Sequence, residues 1–397
     1  MKSWMRYLVM MGFATGVYAE DWPVWRGPHA NGISKEFGWN PSAAKVSWTK
    51  ALGQGYSSVS VKGDRLYTMG HVMGEKKRGE DVVYCLHSRT GEELWRYTYP
   101  AETGSYKGPR ATPVLDGDRL YTVSQDGQVL CFDASTGQVI WHVKTLEATG
   151  NENIKWGISS SAVLAGDLLL LNLGDSGVAL KKVDGSVAWK SQGTASYAAP
   201  VVFQSKGKDV AAIFSGSGLY VVDVLTGEKI DFVEWKTSYD INGADPVLVE
   251  DKIFISSGYK RGCALFDFSK GALKKVWENE RLNSQFSSSV YLDEHIYGID
   301  GQTKSKGVLR CISVDDGSEE WSEVIGFASL MAADGMLIVL NEEGTLLFVD
   351  ASSKKYKEIS RFETGLTKLC WTAPVLANGM IYCRNDEGTL VAIDVRP

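Results

Sequence analysis

Apolar and polar residues alternate in short runs along most of this chain, and turn residues separate the runs. The stretch from Arg110 to Trp141 shows three such runs, each closed by a glycine-containing turn, and a fourth run that ends in tryptophan. Turns with Asp-Gly supply the positive φ angles that tight hairpins require. The stretch therefore predicts a four-stranded antiparallel meander with strands at Ala111–Leu115, Arg119–Ser124, Gln128–Asp133 and Gln138–Lys144.

The same unit recurs eight times, at a spacing of about 40–54 residues that is typical of propeller blades. The second strand recurs as K-G-D-R-L-Y (62–67) and N-G-M-I-Y-C (378–383), and the last turn as T-G-E-E-L-W (90–95). Two copies are degenerate, because Asp231 replaces the tryptophan in one and the copy near 352–359 lacks both glycine and tryptophan. Such small sheets are apolar on both faces and need neighbouring copies to be stable.

The two ends of the chain complete each other. The last copy begins at Trp371 and stops after its third strand, and the missing tryptophan strand occurs near the start as K-V-S-W-T-K (45–50). Pairing these ends closes a ring and leaves no open sheet edge. We predict an all-β fold, an eight-bladed β-propeller of four-stranded antiparallel blades closed by an N-terminal strand at about 46–50. A stacked solenoid is the alternative, but it requires atypical capping repeats.

The first residues predict export. A basic start and a short apolar core, Leu8–Gly16, precede small residues at Val17 and Ala19, as in a cleavable signal peptide. The apolar core is shorter than the about 20 residues that span a bilayer, and no cysteine follows the cleavage site. We expect a periplasmic or extracellular protein that is not a lipoprotein and has no transmembrane segment. The expected regions are a signal peptide (1–19), a lead segment (20–45) and a single propeller domain (46–397).

Composition and charge narrow the function classes. Hydrophobic residues make up 44% of the chain and charged residues 23%, as in soluble globular proteins. The formal net charge is −6 and no basic run of five or more residues occurs, so we expect no nucleic-acid binding. The densest basic cluster, residues 76–78, falls in an apparent loop insertion and is interpreted as a solvated loop.

The six cysteines do not have the spacing of a disulfide framework. Cys85, Cys131 and Cys311 occupy one equivalent strand position, where a buried cysteine behaves as a small hydrophobic residue. Cys370 and Cys383 lie on neighbouring strands of one hairpin, but their register does not place them directly opposite. A disulfide between these two residues is left open.

The repeats and the opening segment carry a family resemblance. The units T-G-x-x-x-W and D-A-x-T-G, and the opening D-W-P-V-W-R-G-P-H-A-N-G (21–32), resemble the pyrroloquinoline-quinone-type propellers, especially exported bacterial members. The resemblance covers essentially the whole chain after the signal peptide and implies the fold. This group includes quinone-dependent alcohol dehydrogenases and a non-enzymatic lipoprotein of the outer-membrane β-barrel assembly machinery. Activity does not follow from fold alone.

Residues that precede the innermost strand of each blade crowd one face of a propeller around its axis. Aromatic walls with a few polar groups suit a flat or sugar-like ligand, and an arginine is suited to clamp a carboxylate or to stack on a ring. Packing between blades is the alternative role. The candidate ligand-binding residues are Tyr56, Arg110, Trp156, Tyr197, Asn242, Phe286 and Trp371.

The resemblance also implies what a quinone enzyme would contain, namely adjacent cysteines, a calcium ion with carboxylate and amide ligands, and an aspartate base. No Cys-Cys pair occurs in the chain, and the five histidines have no metal-ligand spacing. Asp240 and Asp245, beside Asn242, are the only candidates for a metal at an axial position. We therefore expect no catalytic residue and no cofactor. Pyrroloquinoline quinone with calcium belongs to the alternative function only.

The sequence thus predicts an exported, monomeric, non-catalytic binding or assembly scaffold that acts through its axial face. Its occupant is an unknown protein partner or a small polar or anionic ligand. A quinone-dependent alcohol or sugar dehydrogenase is the alternative. The segment W-P-V-W-R-G-P (22–28), which lies outside the repeats, is expected to pack against the ring rather than to bind a partner.

Overall fold

The computed structural model describes residues 18–74, 79–303, 306–367 and 369–397. The predicted signal peptide lies outside these ranges except for its last two residues, and so does the basic cluster at 76–78. The described residues form eight antiparallel sheets arranged as an eight-bladed propeller, which confirms the predicted fold. No helix in these ranges is long and apolar enough to cross a membrane.

The strands follow one another blade by blade around the ring. Before the first complete blade come β1 (Ile33–Ser34), a 3-10 turn (Pro41–Ala43) and β2 (Lys45–Ala51). Blades 1 and 2 contain β3 (Ser60–Lys62), β4 (Arg65–Met73), β5 (Gly79–His87), β6 (Glu93–Pro100), β7 (Val114–Asp116), β8 (Arg119–Val123), β9 (Gln128–Asp133) and β10 (Val139–Lys144). The short helix α1 (Thr145–Thr149) then leads to blade 3, with β11 (Val163–Ala165), β12 (Leu168–Leu171), β13 (Val178–Lys181) and β14 (Val187–Lys190).

Blades 4 and 5 contain β15 (Val201–Ser205), β16 (Lys208–Phe214), β17 (Gly218–Asp223), β18 (Lys229–Glu234), β19 (Val247–Val249), β20 (Lys252–Ser257), β21 (Gly262–Asp267) and β22 (Lys274–Asn279). Blades 6 and 7 contain β23 (Val290–Leu292), β24 (His295–Asp300), β25 (Val308–Ser313), β26 (Glu319–Val324), β27 (Ala328–Ala333), β28 (Met336–Asn341), β29 (Thr345–Asp350) and β30 (Glu358–Glu363). Blade 8 contains β31 (Val375–Ala377), β32 (Met380–Arg384) and β33 (Thr389–Asp394).

The N-terminal strand closes the ring as predicted. Strand β2 pairs antiparallel with β33 and forms the outer edge of blade 8, with Trp48 opposite Ala392 and Lys50 opposite Leu390. The first and last parts of the chain therefore share one sheet. Unfolding of either end removes a strand from the sheet that joins the ring.

The four strands of the meander predicted from residues 111–144 are all present, and their bounds differ by at most one residue except at the start of the first strand. Strand β7 begins at Val114 rather than at Ala111. Pro113 has no N–H to donate, and the N–H of Thr112 donates instead to Ser161 Oγ of the next blade, 2.9 Å away. These residues thus link neighbouring blades at the axis instead of extending the ladder.

A tryptophan on the outermost strand joins most blades to the next one. Trp141 Nε1 donates to the carbonyl oxygen of Lys182 in blade 3 at 2.9 Å. A Cβ atom on Gly185 would lie 2.7 Å from the Trp141 ring, so the turn glycine is needed for this close contact. Equivalent hydrogen bonds link Trp48 to Ser88, Trp95 to Ala134, Trp189 to Val224, Trp277 to Val314 and Trp321 to Ser352.

A β-bulge on the outermost strand accompanies this contact. In blade 2 the register shifts between Val139 and Trp141, which leaves Ile140 as the extra residue, and the other described blades shift at the equivalent place. A bulge twists an edge strand and interrupts its ladder, which hinders pairing with another chain. The bulge therefore protects the outer edge of each blade.

Blade 4 replaces the tryptophan contact with a polar one. Asp231 Oδ2 accepts a hydrogen bond from the N–H of Leu273 in blade 5 at 2.6 Å. The turn glycine there, Gly271, lies against the side chain of Lys206, whose Nζ donates to the carbonyl oxygen of Lys270. The repeat that lacks the tryptophan is thus still joined to the next blade, but by hydrogen bonds instead of an indole contact.

The cysteines are buried thiols throughout the described residues. Cys131 lies between Tyr121 and Trp141 on the adjacent strands, and Cys85 and Cys311 have equivalent neighbours, as predicted for a small buried position. Cys370 and Cys383 are also thiols, and burial raises the pKa of both.

Candidate ligand-binding site on the axial face

A cavity of about 250 Å³ opens at the centre of the ring, on the side where one blade connects to the next. We call this cavity the axial cup. Six of the seven predicted candidate residues line it, namely Tyr56, Arg110, Trp156, Tyr197, Phe286 and Trp371. They lie together because each precedes the innermost strand of its blade and these strands surround the axis.

Aromatic rings form two groups in the wall of the cup. Trp371 stacks on Tyr56 with 5.4 Å between ring centroids and 15° between planes, and Phe286 lies 5.4 Å from the same indole. Trp156 and Tyr197 form the second group at 6.1 Å. Burial raises the pKa of Tyr56 and of Tyr197 to about 12, so both phenols are neutral at ordinary pH. The wall is therefore apolar and uncharged along these rings.

Arg110 is the one cationic side chain among the described residues that line the cup, and the protein itself uses much of its hydrogen-bonding capacity. Its Nη1 donates to the carbonyl oxygens of Trp156 and Gly157 and to Ser159 Oγ, and its Nη2 donates to the carbonyl oxygen of Tyr106 at 3.0 Å. Burial lowers the pKa of Arg110 to about 10. Arg110 thus fixes two loops of the wall while its guanidinium faces the cavity.

Asn242, the seventh candidate, does not line the cup. Its side chain is buried: Nδ2 donates to the carbonyl oxygens of Ser215 and Trp235, and Oδ1 accepts from Ser257 Oγ at 2.7 Å. A buried carboxamide requires such partners. Asn242 therefore holds the junction between blades 4 and 5.

The two aspartates that were candidate metal ligands lie at different places in the site. Asp245 lines the cup, where Oδ1 accepts from the N–H of Ala199 and Oδ2 from Trp25 Nε1, both at 2.7 Å. Asp240 is exposed at the rim. No group of three or more histidine, cysteine, aspartate or glutamate side chains in the described residues is arranged to hold a metal ion.

The floor of the cup comes from the lead segment, which the sequence analysis did not include in the site. Trp25 lines the cup. The sequence feature that indicated a specific role for this segment was the W-P-V-W-R-G-P motif, which lies outside the repeats. Trp25 itself could not be placed at the axis from the repeat pattern, because the segment belongs to no blade.

The lead segment crosses the central channel from blade to blade. Trp22 forms a β-bridge with Val61 of blade 1, and the carbonyl oxygen of Pro23 accepts from Leu115 of blade 2. Arg26 is buried and donates to the carbonyl oxygen of Ser289 near blade 6. Strand β1 then pairs in parallel with β27, the innermost strand of blade 7. The segment packs inside the ring, as predicted, and turns the channel into a cup.

The rim combines exposed aromatic residues with strained backbone. Tyr239 is 65% exposed and meets the Trp156 ring edge-on at 6.1 Å. Lys155 Nζ lies 4.7 Å from the Trp156 ring and 4.8 Å from that of Tyr239. Positive φ angles occur at four non-glycine residues here, Tyr239, Asp240, Tyr259 and Lys260. Such strain is concentrated at functional sites in proteins.

The residues of the cup do not match the requirements of a quinone with calcium. Calcium takes six to eight oxygen ligands, whereas Asp245 is the single carboxylate among the described residues that line the cup. A quinone that bears several carboxylates meets one cation, Arg110, among the described residues that line the cup, and four hydrogen bonds from its guanidinium already go to protein oxygens. The donor set differs from what such a cofactor needs.

The eight blades and their repeated junctions define the class of this protein as a β-propeller. Its family follows from a family model described as outer membrane protein assembly factor BamB, which matches residues 78–323. Because the match covers more than half of the chain, the chain belongs to this family.

Individual relatives are distant. The outer membrane protein assembly factor BamB of Burkholderia pseudomallei (strain K96243) is 23% identical over 353 residues, which is 75% of this chain and 85% of that protein. The crystal structure of BamB from Moraxella catarrhalis has a TM-score of 0.65 at 17% identity, covering 88% of this chain and 97% of that one. A quinohemoprotein alcohol dehydrogenase from Comamonas testosteroni has a TM-score of 0.54 at 13% identity, covering 94% and 80%. At these identities the solved structures support the fold alone.

Proposed function

We propose that this protein is a non-catalytic binding or assembly scaffold that engages its ligand or partner through the axial cup. The observation that carries the proposal is the cup itself, with aromatic walls, a floor built by the lead segment and a rim of exposed aromatic residues. Membership of a family described by an assembly factor supports a scaffold role. The donor set of the cup gives no support to quinone chemistry.

We further propose that the protein acts outside the cytoplasm as a monomer. The basic start and apolar core before Ala19 support removal of a signal peptide at residues 1–19. The blades that run from β3 to β33, closed by β2, support a single propeller domain at 46–397, preceded by the lead segment 20–45. Mass spectrometry of the protein from its native compartment is expected to find Glu20 at the N-terminus. A chain that begins at Met1 would contradict cleavage.

Site-specific photo-crosslinking tests which face is used. Tyr239 lies on the axial rim and is 65% exposed, whereas Leu225 is 75% exposed in the turn between β17 and β18 on the opposite face. A photo-reactive residue at position 239 is expected to give crosslinks in cells, and the same residue at 225 is expected to give none. Crosslinks from 225 alone would contradict the use of the axial face.

Reconstitution with the quinone and calcium tests the alternative. The scaffold proposal predicts no bound-cofactor absorption spectrum and no reduction of an electron-accepting dye when alcohols or sugars are added. A stoichiometric cofactor spectrum with dye reduction would replace the scaffold by a quinone-dependent dehydrogenase.

A further inference from the structure

We propose that the axial cup accommodates a single neutral, polyhydroxylated ring, such as one pyranose residue of a glycan, and that Trp25 and Asp245 determine this preference. The inference rests on the proposed function, because it names the ligand of the same cup. The size, the shape and the charge of the cavity support it, together with the hydrogen bond from Trp25 in the floor to the carboxylate of Asp245.

The size of the cup limits its occupant to about one ring. Pockets that enclose a drug-sized ligand usually measure about 300–1,000 Å³, and this cavity is smaller at about 250 Å³. The lead segment prevents a longer ligand from passing through the ring, because Trp25 and the buried Arg26 occupy the channel. A ligand longer than one ring must leave through the mouth at the rim.

The shape of the wall suits a ring with two apolar faces. The stacked pair Tyr56 and Trp371 lines one part of the cavity, and Trp156 lines another. Aromatic side chains provide large rigid contact surfaces at a ligand site. The C–H groups of a pyranose form apolar patches on its faces, while its hydroxyl groups project from its edge.

The charge of the cup disfavours strongly charged ligands. Arg110 faces the cavity and repels an ammonium group, which an aromatic cage alone would attract. Asp245 faces the same cavity and repels a polyanion. The described lining residues include one charged side chain of each sign, so their charges nearly cancel. A neutral ligand avoids the cost of desolvating a charge that finds no partner.

Asp245 supplies an acceptor for hydroxyl groups. An ionised carboxylate offers about four lone-pair positions, and one bond to each oxygen, from Trp25 Nε1 and from the N–H of Ala199, leaves about half of them for a ligand. The N–H of Asp245 also donates to Ser288 Oγ at 2.9 Å, which fixes the backbone. The carboxylate is therefore held rigidly, as selective hydrogen bonding requires.

Trp25 acts on the ligand through its ring and on Asp245 through its indole N–H. Its ring forms part of the cavity surface, and its N–H orients Asp245 at 2.7 Å. Replacement by phenylalanine keeps an aromatic floor but removes the donor. Trp22 is a matched control, because it belongs to the same segment, is buried, and does not line the cup.

Ligand-observed NMR and titration calorimetry on the full mature chain test the inference. The probes are a panel of neutral methyl hexopyranosides and neutral oligosaccharides, with choline and citrate as charged controls. At least one neutral glycoside is expected to bind saturably, while choline and citrate are not. The variants Trp25→Phe and Trp371→Ala are each expected to weaken that binding at least tenfold, and Trp22→Phe less than twofold, at unchanged circular dichroism.

Each contrary result would overturn a different part of the proposal. Saturable binding of choline or citrate at the cup, or no binding of any glycoside in the panel, would overturn the saccharide inference. Equal losses for Trp22→Phe and Trp25→Phe would overturn the role of Trp25. If crosslinks from position 239 persist when no glycoside binds, the inference fails and the scaffold proposal stands. If both are absent, the axial face is not a binding site.

Discussion

The tryptophans at the outer edge of the ring and the aromatic residues at its axis have opposite characters. The outer tryptophans repeat one contact, in which the indole N–H donates to a carbonyl oxygen of the next blade, as Trp141 does with Lys182. The axial residues repeat no contact, because Trp371 stacks on Tyr56 whereas Trp156 meets Tyr239 edge-on. The outer tryptophans pack against atoms of the next blade, whereas the axial aromatic residues line a cavity.

This difference teaches which residues serve the fold and which serve a ligand. A contact that is repeated around the ring satisfies the common requirement that each blade bury its outer strand against the next. Residues that occupy equivalent axial positions but differ in type, such as Arg110 and Phe286, have no shared structural requirement to explain them. Repeated residues therefore point to stability, and the variable axial residues point to binding.

Deletion of Lys45–Ala51 is expected to have the largest effect, because it removes the strand that closes the ring. The deletion exposes the edge of β33 and removes one of the contacts between blades 8 and 1, the hydrogen bond from Trp48 to Ser88. We expect the single thermal unfolding transition to broaden or to split in calorimetry. The substitution Val46→Thr, on the same strand at a half-exposed position, is the control and is expected to leave one sharp transition. An unchanged transition in the deletion variant would contradict closure by β2.

The variant Trp141→Ala is expected to lose about 3–5 kcal/mol of unfolding free energy, as for other large aromatic residues in cores. Its indole is 9% exposed and packs against the turn of Gly185. The matched axial variant Trp156→Ala is expected to lose less than about 2 kcal/mol, because Trp156 lines the cavity and is only partly buried. Denaturant titration of both variants measures the difference. Equal losses would remove the distinction between the two sets.

The repeat pattern made the outer set predictable from the sequence. Trp141 and the turn glycines recur at fixed distances, and periodicity of this kind reports a contact that every blade shares. The strand at 46–50 was found for the same reason, since it completes the pattern of the last repeat. The start of β7 was placed too early because Thr112 bonds to the neighbouring blade, a contact that no local pattern reveals.

The sequence predicted which positions lie near the axis, but not which of their side chains line the cup. Six candidate residues line the cup because their place before the innermost strand follows from the repeat. Asn242 occupies such a place too, yet its side chain turns into the blade junction to satisfy buried carbonyl groups. Trp25 was missed because the lead segment follows no repeat, and its position depends on contacts distant in sequence, such as that with Asp245.

Two arginines allow the same comparison between a residue of the fold and a residue of the site. Both donate to carbonyl oxygens, and burial lowers the pKa of each to about 10. Arg384 is 1% exposed and donates to Ser57, Met69 and Gly53 across the junction of blades 8 and 1. The variant Arg384→Met removes the donor that these three carbonyl oxygens share, and we expect a loss of about 3 kcal/mol of unfolding free energy.

The matched variant Arg110→Met is expected to lose about 1 kcal/mol, because water in the cup can replace the donors that are removed. Chemical denaturation of the two variants under the same conditions measures both losses. A larger loss for Arg110→Met than for Arg384→Met would show that the axial arginine is the more important one for stability, and would contradict its assignment to the site.

A milder substitution than Trp141→Ala isolates the hydrogen bond of the outer tryptophans. The variant Trp141→Phe keeps an aromatic ring but leaves the carbonyl oxygen of Lys182 without its donor, and we expect a loss of about 1–2 kcal/mol. Trp321→Phe is matched to it, because Trp321 is 8% exposed and donates to Ser352 at 2.8 Å. The two blades share no contact, so the losses should add to within about 0.5 kcal/mol in the double variant. A double variant as stable as either single variant would show that the junctions do not act independently.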